Sequence, residues 1–447
     1  MNIDKKIIEN VIDNLTFKFP YTIDEYVNNP IIENYHYHSY FSNVGMADSP
    51  TNNESFAKRI KELNGKCIFS GEHGWQGNQF EVYEVAEKYG LKYRHSTEAY
   101  WVKNRLEQDR TNCHICLIAL TPKARKDINY ILSIANIDGY YGNPRIDLEL
   151  LFSLNPNEVI VTSACVAGWK YDDAENIWLK VANYFGDNFF FEIQPHNTDK
   201  QKELNQKILE LSKEHNIQII CGLDSHYIDT DLDDIKREKI LEYKKIKYDD
   251  EQGWYLDFPN IEIIYNRLKE QGVLSECEIW QSIMNTNVFN SNKAQEIILD
   301  KSFKIPSIYK DKTYEEKVKI FKNILNNEYA NEKDKSKARV EGIRYEAEQV
   351  IDSKVVDYFL TNRAILQEAI NNQGGILTKT SRGSMSSFYI NKLLGFTTLD
   401  RFNAEVPIYP ERFLTKERVQ SGQMPDCDFN IAQQEPFVKA ARKLIGK

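Results

Sequence analysis

From residue 52 to residue 226 the chain repeats one pattern: a stretch of helical spacing, a short apolar run, then residues that can bind metal. Phe56, Ile60 and Leu63 recur at helical intervals within Asn52–Asn64. Lys66–Ser70 reads as a buried strand running into Gly71-Glu72-His73-Gly74. Helix Phe80–Tyr89 precedes strand Leu91–His95, and Glu98 stands before Ala99-Tyr100-Trp101-Val102. Strand Cys113–Leu120 carries His114 at its start, and Val159–Ser163 leads into Ala164-Cys165-Val166-Ala167-Gly168. Helix Lys200–His215 precedes strand Ile217–Gly222 and the turn Leu223-Asp224-Ser225-His226. Short apolar strands alternating with helices predict an α/β domain with a parallel sheet, closed into a barrel. Ligand-type residues at strand ends lie where barrel sites form.

Ahead of this pattern runs Tyr35-His36-Tyr37-His38-Ser39-Tyr40-Phe41-Ser42. Residues i and i+2 of a strand share a face, so both imidazoles can converge on one point. Neutral imidazole is the commonest protein ligand for a divalent transition metal. A His-x-His strand alone can equally be ordinary polar surface; the later ligand types decide for a metal. Five of the eight histidines (His36, His38, His73, His114 and His226) occupy these positions. His95, His196 and His215 have no matching context, and His215 reads as a solvated helix residue.

At 447 residues the chain exceeds one compact domain and predicts two or three. Its 41% hydrophobic and 28% charged residues are those of a soluble globular protein. No apolar run approaches the ~20 residues of a membrane span, and the charged start Met1–Lys6 is unlike a signal peptide. Seven scattered cysteines, with one loose Cys113-His114-Ile115-Cys116 pair, predict reduced thiols in a cytoplasm, or a host's cytoplasm if the gene is phage-borne. Abundant Asn, Lys, Ile and Tyr suit an AT-rich genome, such as that of a low-GC bacterium or its phage. The net charge of -9 excludes a uniformly basic nucleic-acid coat and leaves room for local basic grooves.

Beyond Tyr227 the chain becomes strongly charged up to Lys247. Segment 254–310 shows helical spacing at Ile261, Ile264 and Leu268 and at Ile279 and Ile283, with Pro306 as a break, and reads as packing and connection. Thr313–Asn327 and Lys335–Ile351 are predicted amphipathic helices with solvated charged faces. A helix from Asp357 to Asn371 is followed by Gly374–Thr378 as a strand and by Ser381-Arg382-Gly383-Ser384-Met385-Ser386-Ser387. A small-residue loop opening a helix offers N–H groups to an anion, and Arg382 adds a bidentate phosphate donor; Ser-rich caps without that role look similar. Pro410-Glu411-Arg412-Phe413-Leu414 and Met424-Pro425-Asp426-Cys427-Asp428-Phe429-Asn430 follow. On a strand, Asp426 and Asp428 share one face, which is how two Mg²⁺ ions are held for phosphoryl transfer.

Over residues 30–230 the order His-x-His, acid-His-Gly, Glu, strand His, Cys and Asp-x-His resembles the polymerase and histidinol phosphatase (PHP) domain. The resemblance implies a distorted (β/α)7 barrel binding up to three metal ions. Its ligands would be His36, His38, Asp48, His73, Glu98, His114, Cys165, Asp224 and His226, with Glu72 standing where the family often has Asp. Imidazole, carboxylate and one thiolate suit Zn²⁺, Mn²⁺ or Fe²⁺ better than Mg²⁺ alone. Such a centre hydrolyses phosphate esters, as a 3′–5′ exonuclease if the substrate is DNA, or serves only as a structural metal site.

Residues 340–431 resemble the palm of bacterial replicative (family C) DNA polymerases, the family of the DNA polymerase III alpha subunit. That family reads Gly-Arg-Gly-Ser, then Phe-Glu-Arg-Phe-Leu-Asn-Pro-Glu-Arg, then Met-Pro-Asp-x-Asp-x-Asp-Phe. The resemblance implies that Asp426 and Asp428 are catalytic and bind Mg²⁺, and that Arg382, Gly383, Ser384 and Arg412 contact the incoming triphosphate. Ser381 replaces the usual glycine and Asn430 the third acid. The family places a third aspartate, thumb and fingers further along, so an incomplete α+β palm that does not polymerise alone is expected here. The domains implied are an extension over 1–30, a PHP domain over 31–235, a helical connector over 236–340 and a partial palm over 341–447. The whole enzyme would take a DNA primer-template and dNTPs, be completed by its C-terminal remainder and meet a sliding clamp and other replisome proteins. A free-standing PHP phosphoesterase and a non-catalytic scaffold are the alternatives.

Overall fold

Cys67-Ile68-Phe69 has no exposed face, and such runs form strands buried on both sides. In the computed structural model, which describes residues 3–44, 49–229, 232–247, 253–302, 304–378 and 382–446, this run is β1. It pairs in parallel with β2 (Lys92–Arg94). The larger sheet comprises β3 (Ser96–Trp101), β4 (Cys113–Ala119), β5 (Tyr140–Tyr141), β6 (Asn143–Ile146), β7 (Val159–Thr162), β8 (Phe189–Ile193) and β9 (Ile219–Cys221). Its order is β5-β6-β3-β4-β7-β8-β9.

The sheet is mixed, where the alternation of strands and helices predicts a parallel one. β7, β8 and β9 run parallel, but β4 is antiparallel to both β3 and β7. No helix separates β3 from β4, and without a crossover two neighbouring strands can only pair antiparallel. Two isolated bridges carry the pairing around toward closure as a distorted barrel. Tyr37 bridges Ser225 beyond β9, and His73 beyond β1 bridges Glu98 in β3. The His38 N–H donates to the Ser225 carbonyl at 2.8 Å, and the Gly74 N–H to the Glu98 carbonyl at 2.8 Å. The segments carrying His-x-His, His73 and Asp224 thereby join one wall.

The chain divides into two compact units, 1–300 and 301–447. This boundary coincides with none of the expected ones at 30, 235 and 340. Ile8 and Val11 of helix Lys5–Asp13 are buried in the same core as the barrel strands. So are Ile264 and Leu268 of helix Ile261–Gln271, and Trp280 and Ile283 of helix Glu276–Asn285. The apolar stripes of these segments, read as connection, close over the barrel because they have apolar area to bury.

The second unit packs helices Tyr314–Ala330, Lys337–Asp352, Val356–Asn372 and Glu435–Ile445 with Phe321, Phe359, Phe388 and Phe413 in its core. The face expected to be solvated on Lys337–Asp352 is partly internal. Arg339 is 4% exposed, places Nη1 2.9 and 2.8 Å from the two Asp400 oxygens and donates from Nε to Asp334 at 2.8 Å. Glu346 is fully buried and accepts from Arg401 Nε at 2.7 Å and the Ile390 N–H at 2.9 Å. Buried charges persist only when paired in this way. Among the described residues of this unit, sheet pairing is limited to the Leu377–Ile431 bridge, so the strand expected at Gly374–Thr378 contracts to that contact. Among the described residues no helix is long and apolar enough to cross a membrane.

Candidate metal centre

Six segments bring eight of the nine candidate ligands of the first unit together; Asp48 lies outside the described residues. Glu98, at the middle of β3, is the hub. Its Oε1 lies 3.2 Å from His36 Nε2 and 2.8 Å from His114 Nδ1. Its Oε2 lies 3.2 Å from His38 Nε2 and 2.8 Å from His73 Nδ1. Asp224 Oδ1 is 3.3 Å from His36 Nε2, 3.1 Å from His38 Nε2 and 3.4 Å from His226 Nε2. Cys165 places Sγ 3.5 Å from His114 Nδ1 and 3.8 Å from Glu98 Oε1. All eight residues are buried.

The donor set fits divalent cations. His36 Nε2, His38 Nε2, both nitrogens of His73, Glu98 Oε2 and Asp224 Oδ1 are buried, crowd one another and, among the described residues, meet no hydrogen-bond geometry. Buried polar atoms are rarely left this way, and lone pairs facing one another suit a shared cation. His36, His38, Glu98 and Asp224 form one such group; His38, His73 and His226 form a second, and His73, Glu98 and His114 a third.

The charges follow from this crowding. Burial would raise the Glu98 carboxyl, but His114, His73 and His36 hold it well below the usual carboxylate range. Burial likewise opposes ionisation of Asp224, and His36, His226 and His38 outweigh it. Burial disfavours charge on His36 and His38, yet facing acids raise both above the ordinary value. His73, buried and beside His38, falls to about 4.

Support for the cluster comes from Glu192, which the sequence reading passed over, and from Cys116 and Glu72, to which it gave no such role. Glu192, fully buried in β8, accepts from Tyr35 Oη, Thr162 Oγ1 and Gln194 Nε2, each at 2.7 Å. Its Oε1 also lies 2.6 Å from His36 Nδ1, leaving His36 Nε2 to face Glu98 and Asp224. A carboxylate behind an imidazole fixes the ligating tautomer and ring orientation. Cys116, on the strand after His114, joins His36 and Glu192 in this backing group, and burial pushes its thiol up to about 12. Glu72 turns away into a cradle: it accepts from the Ser39 and Ser42 hydroxyls and from Asn78 Nδ2 at 2.7 Å, bracing the loop after His-x-His.

The PHP domain family matches residues 34–196. The bacterial DNA polymerase III alpha NTPase domain matches residues 311–445. Along its length the chain thus carries one stretch similar to each of these two domains. The alpha subunit of Aquifex aeolicus is 25% identical over 450 residues, covering 92% of this chain and 37% of that protein. That of Campylobacter jejuni is 26% identical over 443 residues, covering 89% and 36%. The chain thus spans little more than a third of the length of these alpha subunits. An amidohydrolase from Chromobacterium violaceum matches with a TM-score of 0.30 at 11% identity, over 43% of this chain and 87% of its own, too low a score to argue from.

In the alpha-type second unit the candidate nucleotide residues are only partly assembled. Arg382 Nη2 lies 3.2 Å from Asp428 Oδ1, and the next residue, Gly383, packs its Cα against the same carboxylate. Its φ of +69° belongs to the left-handed region, and a Cβ there would lie 2.3 Å from Asp428 Oδ2. Ser384 opens the short turn Ser384–Ser387, while Arg412 is exposed in the turn Pro410–Arg412. Asp426 is exposed and Asp428 half-buried on an extended segment that joins no strand; pairing begins only at Ile431. Among the described residues neither aspartate belongs to a cluster of three potential ligands. Ser381 lies outside the described residues. Gly383→Ala is expected to destabilise the chain by about 2 kcal/mol through both strain and the Asp428 clash. Urea denaturation of Gly383→Ala, Asp428→Ala and the double variant checks this: the double variant recovers part of the loss, and a single variant as stable as the parent contradicts it.

Proposed function

We propose that the first unit is a metal-dependent phosphoesterase acting on DNA as a 3′–5′ exonuclease, within the N-terminal part of a replicative DNA polymerase. The convergence of buried imidazoles, carboxylates and a thiol on atoms that lack hydrogen bonds carries this reading. His36, His38, Asp224 and Glu98 would hold one cation, and His73, His114, His226 and Cys165 would complete neighbouring positions, with Zn²⁺, Mn²⁺ or Fe²⁺ suited to the donor mix. Bound there, such ions lower the pKa of water toward neutrality and neutralise charge on a phosphoryl oxygen. The chain's own part is orientation: Glu192 fixes the His36 ring, and Glu72 fixes the loop after His38.

For the whole polymerase the proposal is DNA-templated nucleotidyl transfer in the cytoplasm, with a DNA primer-template and dNTPs as substrates. Asp426 and Asp428 would hold Mg²⁺, and Arg382, Gly383, Ser384 and Arg412 would meet the triphosphate. A sliding clamp and other replisome proteins would be its partners.

The test is hydrolysis of 3′-labelled single-stranded DNA by the chain loaded with Mn²⁺ or Zn²⁺, beside an Asp224→Asn, His226→Asn variant. Cleavage should fall by more than about a hundredfold in the variant, since even residues behind metal ligands cost 10–100-fold when changed. A folded, metal-loaded parent chain that does not cleave would leave the barrel as a scaffold.

A further inference from the structure

His196 was read from the sequence as a histidine without context, and the fold gives it one. β8 lies between β7 and β9 and runs parallel to both. Residues just past β7 include Cys165, and residues just past β9 include Asp224 and His226. Gln194-Pro195-His196 follows β8 at that same end, between two ligand-bearing loops. His196 is fully buried and near enough to Asp224, His36 and His226 to feel their charges.

The protonation of its ring is set by a strap from outside the matched PHP region. The Tyr255 N–H donates to His196 Nδ1 at 3.1 Å, so the ring proton sits on Nε2. The Trp254 ring lies against the imidazole at 4.5 Å between centroids. The same strap ties down this loop and the one after β9: the Asn197 N–H donates to the Gly253 carbonyl at 2.8 Å, and the His226 N–H to the Leu256 carbonyl at 2.8 Å. Gly253 is required there, since a Cβ would lie 2.7 Å from the Asn197 carbonyl oxygen and its φ is +92°. Burial lowers His196 to about 3, so the ring stays neutral. Its Nε2–H is buried and has no partner among the described residues.

A buried donor without an acceptor costs free energy unless a ligand takes it. We infer that His196 donates its Nε2–H to a non-bridging oxygen of the phosphate group held at the metal centre. A neutral donor suits that place, because it stabilises the anion without repelling the cations beside it. The inference rests on the phosphoesterase reading of the same site and names a substrate contact that the ligand set lacks.

Binding of inorganic phosphate to the Mn²⁺-loaded full chain, followed by ³¹P relaxation, tests it without requiring turnover. His196→Phe keeps a flat ring against Trp254 but removes the donor; its phosphate dissociation constant should rise about tenfold or more. His196→Gln supplies both an acceptor for the Tyr255 N–H and a donor, and should stay within about threefold of the parent. Metal content should be unchanged in both. Equal phosphate affinity in His196→Phe and the parent would overturn the inference, as would loss of metal from that variant, which would make His196 a ligand. If His196→Phe does not fold, the ¹⁵N-labelled parent decides: the His196 Nε2–H resonance should move on adding phosphate, and a stationary resonance refutes the contact. Phosphate binding that depends on His196 in a chain that cleaves no DNA would overturn the nuclease reading while sustaining this one.

Discussion

Glu98→Gln is expected to strip the first unit of its metal. The substitution keeps size and shape but removes the charge that faces four imidazoles at 2.8–3.2 Å. Because outer-shell changes already cost 10–100-fold in affinity, loss of this hub should exceed about a hundredfold. It should also destabilise the fold by about 3–5 kcal/mol, the usual consequence of removing one partner from a buried charge network. Elemental analysis after dialysis and thermal unfolding with and without chelator check both effects. A Glu98→Gln chain with the parent's metal content and melting temperature contradicts the assignment of Glu98 as hub.

Metal affinity should fall steeply with acid, more steeply than one proton allows. His36 and His38 are held protonated above the ordinary histidine range by Glu98, Asp224 and Glu192. Ligation requires both rings, and the Cys165 thiol that burial raises well above its ordinary value, to lose their protons, so binding should release more than one proton and affinity should drop more than tenfold per pH unit on acidification. Calorimetry in buffers of different ionisation enthalpy measures the release; heats independent of buffer would contradict it. Without metal the same groups make stability depend on pH in two opposed ways. Histidines raised in the folded state stabilise below about 6.5 and lose that contribution as pH rises through their folded values. Glu98 and Asp224, depressed in the folded state, stabilise above about 4 and lose it as pH falls through theirs. His73, His95 and His196, lowered in the folded state to about 4, about 3 and about 3, oppose the raised histidines, because they withdraw stability as pH falls below about 6.5. The metal-free chain should therefore lose stability steeply as pH falls through about 4, and bound metal should add most above about 6.5.

The candidate ligands were legible because metal chemistry restricts residue types and strands have a period of two. His36 and His38 share a face, and Glu98, Cys165 and Asp224 follow or interrupt apolar runs. Glu192 was hidden for the opposite reason: Phe189-Phe190-Phe191-Glu192-Ile193 reads as apolar strand, and nothing local says that its one acid backs a histidine 156 positions earlier. Cys116 looked like half of a loose cysteine pair, and only β4 pairing sets it beside His36 and Glu192. His196 has no local signal either, since its partner, the Tyr255 N–H, belongs to a strap 59 residues away. The direction of β4 depends on the missing crossover between β3 and β4, which strand patterning does not encode. In the second unit Gly383 was legible as a loop glycine, but the Asp428 oxygen that makes it necessary lies 45 positions away. The strand expected to carry Asp426 and Asp428 needs pairing partners, and the described residues supply one bridge, at Ile431.

The most direct measurement is anomalous diffraction from crystals of this chain grown with Mn²⁺ or Zn²⁺, recorded on either side of the metal's absorption edge. Peaks between His36, His38, Glu98 and Asp224, with further density toward His73, His114 and His226, are the expected result. A metal-saturated crystal with no peak within bonding distance of Glu98 or Asp224 would contradict the metal centre and the phosphoesterase built on it.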